Sequence, residues 1–317
     1  MALVLVTRHL TEGGTDPLVA AGHDVVLREE DIPFTPAELV TAAGEVDAIV
    51  CLLTDRIDAA VLEAGKSGRL QVVGNVAVGY DNVDISTANA LGITICNTPG
   101  VLDATTADLA FLLILCGTRL STEAEEDLRQ GRWRGWGFTT NLAHDVHGMT
   151  LGLVGYGRIA REVAKRARGF DMEVLHTSRT DTGEPGYVDS LHELLTRADI
   201  VSLHVPLSES TRHLIGVDEL AAMKPTAVLV NTARGPVVDE NALVDALEAG
   251  TIYAAGLDVF DGEPAVNPRL LTAPRITLLP HVGSATVATR TNMARLACQG
   301  VCDVLGGKTP PNTVRLG

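Results

Sequence analysis

From Leu3 to about Pro280 the chain alternates short aliphatic runs with stretches rich in Ala, Glu and Leu, and this alternation is what most narrows the folds open to it. Leu3–Val6, Val25-Val26-Leu27, Ala48-Ile49-Val50-Cys51, Val72-Val73 and Ile93-Thr94-Ile95 have the length and character of strands. Aliphatic runs without polar alternation belong to strands covered on both faces. Strands separated by helical stretches imply βαβ units and a mostly parallel sheet. The polar, Gly-rich Thr11–Asp16 reads as a turn, and Asp84 through Gly92 as one short helix. Asp84 serves there as N-cap and Gly92 as the left-handed stop.

Near Pro99-Gly100 the texture changes. One long helical stretch is expected from Ala104 to Gln130, apolar over Leu109–Leu115 and acidic at Glu123, Glu125, Glu126 and Asp127. The segment 131–138 that follows holds both tryptophans, Trp133 and Trp136. A second strand–helix alternation begins at Leu151, and the last 35 or so residues turn helical again before a polar tail. The expectation is an α/β protein of two domains, each a doubly wound parallel sheet. The first is placed at 1–99, with 283–317 returning to it, and the second at 100–282.

A length of 317 residues accommodates two domains. With 46% hydrophobic residues, 3% aromatics and 31 glycines the chain can bury enough aliphatic surface to fold, which excludes disorder. Lys and Arg number 25 against 40 Asp and Glu, a formal charge of −15 without a basic cluster, so neither nucleic acid nor an anionic membrane is an expected partner. The five cysteines (Cys51, Cys96, Cys116, Cys298, Cys302) are scattered and odd in number, as small buried hydrophobes in a reducing compartment are. Met1–Val6 lacks the length and basic leader of a signal-peptide core, and the longest apolar run, Leu109–Cys116, is short of a membrane span. A cytoplasmic location is expected. An acidic protein that binds an anion must do so with local geometry.

Such geometry is written at Thr150–Ala160. An apolar strand leads into Gly155-Tyr156-Gly157-Arg158-Ile159-Ala160, and a helical run follows from Arg161 to Arg168. Gly155 permits the tight turn, Gly157 lets backbone N–H groups approach a pyrophosphate, and Ala160 stands where a small residue packs helix on strand. The anion then lies at a helix N-terminus, where unpaired N–H groups favour it. The next strand, Glu173–Thr177, ends in Ser178-Arg179-Thr180, with Ser178 where an NAD site usually places a carboxylate. A hydroxyl and a guanidinium suit a 2′-phosphate, so the reading favours NADP(H) and leaves NAD(H) open; the plain alternative is a solvated surface arginine.

Three further segments end strands on chemistry-bearing residues: Leu229–Gly235 on Arg234, Ala255–Pro264 on Asp258 and Glu263, and Leu278–Ala285 on His281. Ligands of open α/β sheets bind outside the carboxyl ends of the strands. Arg holds a carboxylate or polarises a ketone, His carries a proton near neutrality, and a neighbouring Glu favours the protonated imidazole and fixes its tautomer. Singly, Glu263 is an ordinary loop acid and His281 an ordinary loop histidine. Beside a dinucleotide cradle they form a candidate reduction site.

At these residues the sequence resembles the D-isomer-specific 2-hydroxyacid dehydrogenases, from about Asp47 to about Pro311, and within that family the glyoxylate/hydroxypyruvate reductases. The resemblance implies a Rossmann-type cofactor domain inserted in a flavodoxin-like substrate domain. It implies that backbone amides of Ala77, Val78 and Gly79, in Asn75–Asp84, hold the substrate carboxylate. Thr106 is then a cofactor contact, Tyr156, Gly157, Arg158 and Ile159 with Gly155 the pyrophosphate contacts, and Ser178, Arg179 and Thr180 the adenosine-ribose contacts. His204, Val205, Pro206 and Thr211 resemble the wall under the adenosine. Thr232 and Ala233 are further cofactor contacts, and Asp258 and Gly283 lie where the nicotinamide amide is held. By the same resemblance Arg234 positions the keto acid, His281 donates the proton and Glu263 tunes His281. The implied reaction is reduction of a short 2-keto acid to the D-2-hydroxy acid, with domain closure about hinges near Asn97–Gly100 and 282–286. The family also implies a homodimer, for which the helix from Ala104 and the segment 131–138 are the candidate contacts; Trp136 is either an approach to the partner's site or a packing aromatic.

Departures narrow the substrate. Many phosphoglycerate dehydrogenases have Arg where Asn75 stands, phosphite dehydrogenases Lys where Val78 stands, and formate dehydrogenases Gln in the place of Glu263. Glyoxylate, hydroxypyruvate or a similar small 2-keto acid remains, with a bulkier 2-keto acid as the alternative. A non-catalytic NAD(H)-binding corepressor is the reading from another class; it gives no reason for Arg234, Glu263 and His281 to occur together. No metal site is expected.

Overall fold

The computed structural model describes residues 1–28 and 31–315. The chain divides into two compact units, Met1–Leu102 with Ser284–Gly317, and Asp103–Gly283. Leu316 and Gly317, at the end of the segment expected to rejoin the first domain, lie outside the described residues.

The first unit is built on five parallel strands, β1 (Leu3–Val6), β2 (Asp24–Leu27), β3 (Ala48–Cys51), β4 (Val72–Asn75) and β5 (Thr94–Cys96), in the order β2-β1-β3-β4-β5. This is the flavodoxin-like order, with the chain reversing its direction of travel between β1 and β3. Strands β3 and β4 are buried at every position, which is why β3 is a continuous apolar run and β4 opens on Val72-Val73 without polar alternation. The helices are α1 (Asp16–Ala20), α2 (Pro36–Ala43), α3 (Ala59–Ser67) and α4 (Ile85–Leu91). Helix α2 opens with a capping box between Thr35 and Glu38. Helix α4 has the expected ends: the Asp84 carboxylate accepts from the Thr87 amide, and Gly92 is left-handed at φ 69°. The C-terminal helix, Val287–Leu305, belongs to this unit and buries Met293, Ala294, Ala297, Cys298 and Val301. Ile49, Leu62, Val73 and Ile95 are central to the core.

The second unit carries six parallel strands, β6 (Thr150–Val154), β7 (Glu173–Thr177), β8 (Ile200–Leu203), β9 (Val228–Asn231), β10 (Ala254–Leu257) and β11 (Ile276–Leu278), ordered β11-β10-β9-β8-β6-β7. Outside β7, Tyr187 makes a single parallel bridge to His176. Counting that bridge as a third strand reduced to one residue, the order is 3-2-1-4-5-6-7, the Rossmann order extended by one strand. Helices α5 (Asp103–Arg119), α6 (Ser121–Arg129), α7 (Arg158–Ala167), α8 (Leu191–Arg197), α9 (Val217–Ala222) and α10 (Glu240–Ala249) complete the unit. The sheet separates two cores. Leu229 joins Leu194, Leu203, Leu243 and Leu257 on one face, while Val228 and Val230 join Phe111, Ile114, Leu153 and Val163 on the other. That division is the period of two of a strand covered on both sides.

Two expectations are corrected here. The single helix expected over Ala104–Gln130 is two helices, α5 and α6, bent by 68° at Leu120, which has a φ of 47°. Eight residues of α5 are buried and none of α6, so the apolar and acidic halves belong to different surroundings. Helix α7 opens at Arg158, three residues ahead of the run expected from Arg161. No single helix among the described residues is long and apolar enough to cross a membrane.

Candidate active site

The turn after β6 is arranged as the glycine pattern requires. Gly155 has a φ of 87°, and a Cβ there would lie 2.8 Å from the His204 carbonyl oxygen. Its N–H donates to the Thr177 carbonyl at 2.9 Å, so Gly155 shapes the turn and is not itself a free donor. Gly157 is the N-cap of α7 and has no side chain to accept from the first turn, whose N–H groups have no partner within the helix. Ala160, Val163 and Ala164 bury the helix against the sheet. Arg158 is exposed and Ile159 half-buried. The Tyr156 ring is stacked on His176 with centroids 3.7 Å apart and lies under the Arg161 guanidinium at 5.0 Å. Its side chain therefore packs, which leaves its backbone to face an anion.

At the end of β7 the Ser178 hydroxyl donates to the Thr180 carbonyl at 2.7 Å, holding a tight turn with Arg179 at its tip. Arg179 is exposed and makes no hydrogen bond or ion pair among the described residues. After β8, the His204 amide donates to Val154 at 2.8 Å, and its ring Nε2 lies 2.9 Å from the Ser202 hydroxyl. Burial pushes the imidazole down to about 4, so it is neutral at ordinary pH. Val205 and Pro206 continue this wall, and the Thr211 hydroxyl donates back to the Pro206 carbonyl at 2.7 Å.

Arg234 stands on a turn held by a residue that sequence reasoning passed over. Asn231, buried at the end of β9, accepts from the Ala233 amide at 2.9 Å through Oδ1 and donates to the Arg234 carbonyl at 2.8 Å through Nδ2. Gly235 follows, where a Cβ would overlap the Phe260 carbonyl; only glycine lets the two turns touch. The Thr232 hydroxyl is buried without a hydrogen-bond partner among the described residues.

The proton-carrying groups meet at the ends of β10 and β11. Glu263 Oε2 lies 2.7 Å from His281 Nδ1, and Glu263 Oε1 accepts from the Phe260 amide at 2.8 Å. Burial alone would raise the Glu263 carboxyl. The bond to His281, the Phe260 amide and the charges of His281 and Arg234 outweigh it, and the carboxyl lies below its ordinary value. His281 has a φ of 54°, a left-handed conformation that this residue type tolerates better than most, and its Nε2 has no partner among the described residues. Asp258, 1% exposed, accepts from the Val282 amide through one oxygen and from Gly283 through the other, both at 2.8 Å. Burial raises the Asp258 carboxyl against the pull of those amides and of His281. Asp258 thus holds the turn that follows His281. Gly283 lies against this carboxylate and against Thr106, which is buried on α5.

In the first unit the segment after β4 is held by side-chain amides. Asn75, fully buried, donates to the Gly79 carbonyl at 2.9 Å, and Asn97 donates to the Val78 carbonyl at 2.8 Å. Asn82 bonds to Asn75 Oδ1 and to the carbonyls of Leu52 and Asp55. The Ala77 amide is engaged with the Asn75 carbonyl at 2.8 Å, which narrows the expected trio of donors to Val78 and Gly79.

These features fit a dinucleotide: a glycine turn too tight for a Cβ, a helix N-terminus without a capping side chain, and an unpartnered buried hydroxyl at Thr232. Among the described residues no group of His, Cys, Asp or Glu could hold a metal ion.

Comparison with known proteins agrees with this chemistry. Residues 111–283 match the family described as D-isomer specific 2-hydroxyacid dehydrogenase, NAD binding domain. A glyoxylate reductase of Thermococcus litoralis is 42% identical over 98% of this chain and 96% of its own. A solved protein of Thermus thermophilus superposes with a TM-score of 0.92 at 42% identity, covering 99% of this chain and 100% of that one. The NADPH-dependent glyoxylate/hydroxypyruvate reductase of Sinorhizobium meliloti, solved with NADP and malonate, has a TM-score of 0.87 at 35% identity, over 98% of this chain and 96% of that one.

Proposed function

We propose that this chain, which belongs to the D-isomer-specific 2-hydroxyacid dehydrogenase family, protonates its substrate from His281 and positions it with Arg234. It is an NAD(P)-dependent oxidoreductase that reduces a 2-keto acid. The observation that carries the assignment of roles is the 2.7 Å bond from Glu263 to His281 Nδ1, which leaves Nε2 as the donor. A nicotinamide held beside Asp258 and Gly283 would supply the hydride for the keto carbon. His281 Nε2 delivers a proton to the alkoxide as it forms, and the ionised Glu263 offsets the imidazolium charge until then. Arg234 holds the keto acid in attack geometry and stabilises charge on the oxygen. The Val78 and Gly79 amides receive the carboxylate, being donors that make no hydrogen bond among the described residues. Asp258 and Gly283, with Thr106, Thr232 and Ala233, border the nicotinamide end of the cofactor. The amides of Tyr156–Ile159 take the pyrophosphate, and His204, Val205, Pro206 and Thr211 flank the adenosine.

Arg179 and Ser178, with Thr180, select NADPH: a guanidinium at the tip of the turn, without a partner among the described residues, matches a 2′-phosphate, and no carboxylate stands at Ser178 to repel it. A small substrate of the glyoxylate or hydroxypyruvate type fits Asn75, Val78 and Glu263, the positions at which enzymes acting on phosphoglycerate, phosphite and formate carry other residues. The assembly is a homodimer, for which exposed Trp133, Trp136 and Phe138 offer an apolar contact, Trp136 being 84% exposed. The five free cysteines suit the cytoplasm.

A steady-state panel of glyoxylate, hydroxypyruvate, pyruvate and larger 2-keto acids, each with NADPH and NADH, tests substrate and cofactor together. The expected result is the highest kcat/KM for a two- or three-carbon acid with NADPH; preference for a bulky acid refutes the substrate reading. In the same panel Arg179→Asp should move the NADPH/NADH ratio about tenfold or more toward NADH, the value of a charge-assisted hydrogen bond. An unchanged ratio would make Arg179 ordinary surface charge.

A further inference from the structure

We infer that Glu240 is a positioning residue for the proton-donating pair: through the Asp261 amide it sets the turn that aims Glu263 at His281. The inference rests on the roles proposed for Glu263 and His281.

Glu240 opens α10, yet the helix start does not need its side chain. Asp239 caps it, accepting from the Asn241 and Ala242 amides at 3.0 and 3.1 Å. The Glu240 carboxylate reaches instead to the turn after β10, where Oε1 accepts from the Asp261 amide at 2.7 Å. The preceding amide, that of Phe260, ends on Glu263 Oε1 at 2.8 Å. Two consecutive N–H groups of one turn therefore end on two different carboxylates. The backbone of Phe260 also rests on Gly235, one residue beyond Arg234. Held in this way, the turn presents Glu263 with its second oxygen 2.7 Å from His281 Nδ1.

Glu240 is only 8% exposed and has no cationic partner among the described residues. Burial pushes its carboxyl above the ordinary value, with the charges of Asp261 and Asp239 adding to the rise, while the Asp261 amide and, after it, the Asn267 side chain pull it down. An acid buried without a cation opposes folding unless its hydrogen bonds serve something. The backbone group it serves lies two residues from Glu263. The Asp261 side chain turns to Arg212, at 3.4 Å, so the side chain and the amide of one residue are anchored separately. With Glu240 truncated, the Asp261 amide is left unpaired and Glu263 is free to draw back from the imidazole.

The test uses the full-length enzyme. Glu240→Ala should lower kcat for glyoxylate about tenfold to a hundredfold, the penalty of a displaced catalytic group, with NADPH affinity unchanged. The alkaline limb of its kcat/KM profile should move to lower pH, because an imidazole without its carboxylate partner gives up its proton more readily, and Glu263→Gln should move it in the same direction. Glu240→Gln, which keeps an acceptor at Oε1, should stay within about threefold of the parent. In a Glu263→Gln background Glu240→Ala should cost little more, because the two act through one bond. Equal losses in both backgrounds, an unmoved profile, or a Gln variant as poor as Ala would overturn the inference. Should Glu240→Ala not fold, Glu240→Asp, one methylene short of the amide, should show a smaller loss with the same displaced limb. Normal turnover by His281→Ala would instead remove the premise; a His281-dependent enzyme indifferent to Glu240 removes only this inference.

Discussion

The two units both end a strand in a turn that presents polar groups, but they build those turns from different materials. After β4 the turn is tied by three neutral side chains, Asn75, Asn82 and Asn97, and what it offers is backbone N–H at Val78 and Gly79. After β9, β10 and β11 the turns carry ionisable groups, and Asp258 and Glu263 each bind backbone amides while facing His281 or the turn behind it. Holding an anion requires donors fixed in place, which asparagines provide without altering the charge of the site. Moving a proton requires a charge that can appear on an imidazole, so an anion must be held ready beside it. The second unit holds such a pair in Glu263 and His281. Both of its anchoring carboxylates are partly desolvated, which strengthens the effect of each charge.

The largest expected effect breaks the second unit's half of this comparison. His281→Ala should lower kcat by about two to four orders of magnitude, as loss of a general acid does, with NADPH binding retained. Fluorescence titration of the cofactor beside turnover checks it, and near-normal kcat would assign the proton to another group. A smaller effect is expected in the first unit. Asn75→Ala removes the bond to the Gly79 carbonyl and one partner of Asn82, and should raise the KM for the keto acid about tenfold while changing kcat little. A fall in kcat at unchanged KM would show that this turn does more than bind.

The smallest effect lies in the pH dependence of stability. The folded Glu263 carboxyl lies below its ordinary value of 4.5, so its contribution is fully present above that pH and is lost as the pH falls through the folded value. Thermal midpoints measured from neutral pH down through the carboxylate range should therefore fall more steeply for the parent than for Glu263→Gln. Parallel curves would mean that the pair orders the site without stabilising the fold.

Much of this arrangement is legible in residues close together in the chain. Strand β3 is delimited to the residue by its aliphatic run, α4 by Asp84 and Gly92, and the phosphate turn by Gly155 and Gly157 with a strand before and a helix after. The bend at Leu120 is not legible, because neither Gly nor Pro stands at the break and the residue that adopts the left-handed conformation is a leucine. Asn231 and Glu240 escape notice for a different reason. Each is an ordinary polar residue at the end of a strand or the start of a helix, and its meaning lies in which backbone group it meets. Asn231 meets a carbonyl three residues on, and Glu240 an amide 21 residues on.

Residue order alone settles the alternation of strands and helices, the turn at Gly155–Gly157 and the residue types from which a reduction site is made. These follow from local propensity and from side-chain chemistry, which neighbours in the chain suffice to express. Folding in three dimensions decides that Glu263 meets His281 across 18 residues, that Asp258 holds the turn at Val282 and Gly283, and that Gly235 rests on Phe260. Those contacts depend on where parallel strands end. Adjacent strands of a parallel sheet are separated in sequence by a whole crossover, so the residues that share an edge are distant in the chain.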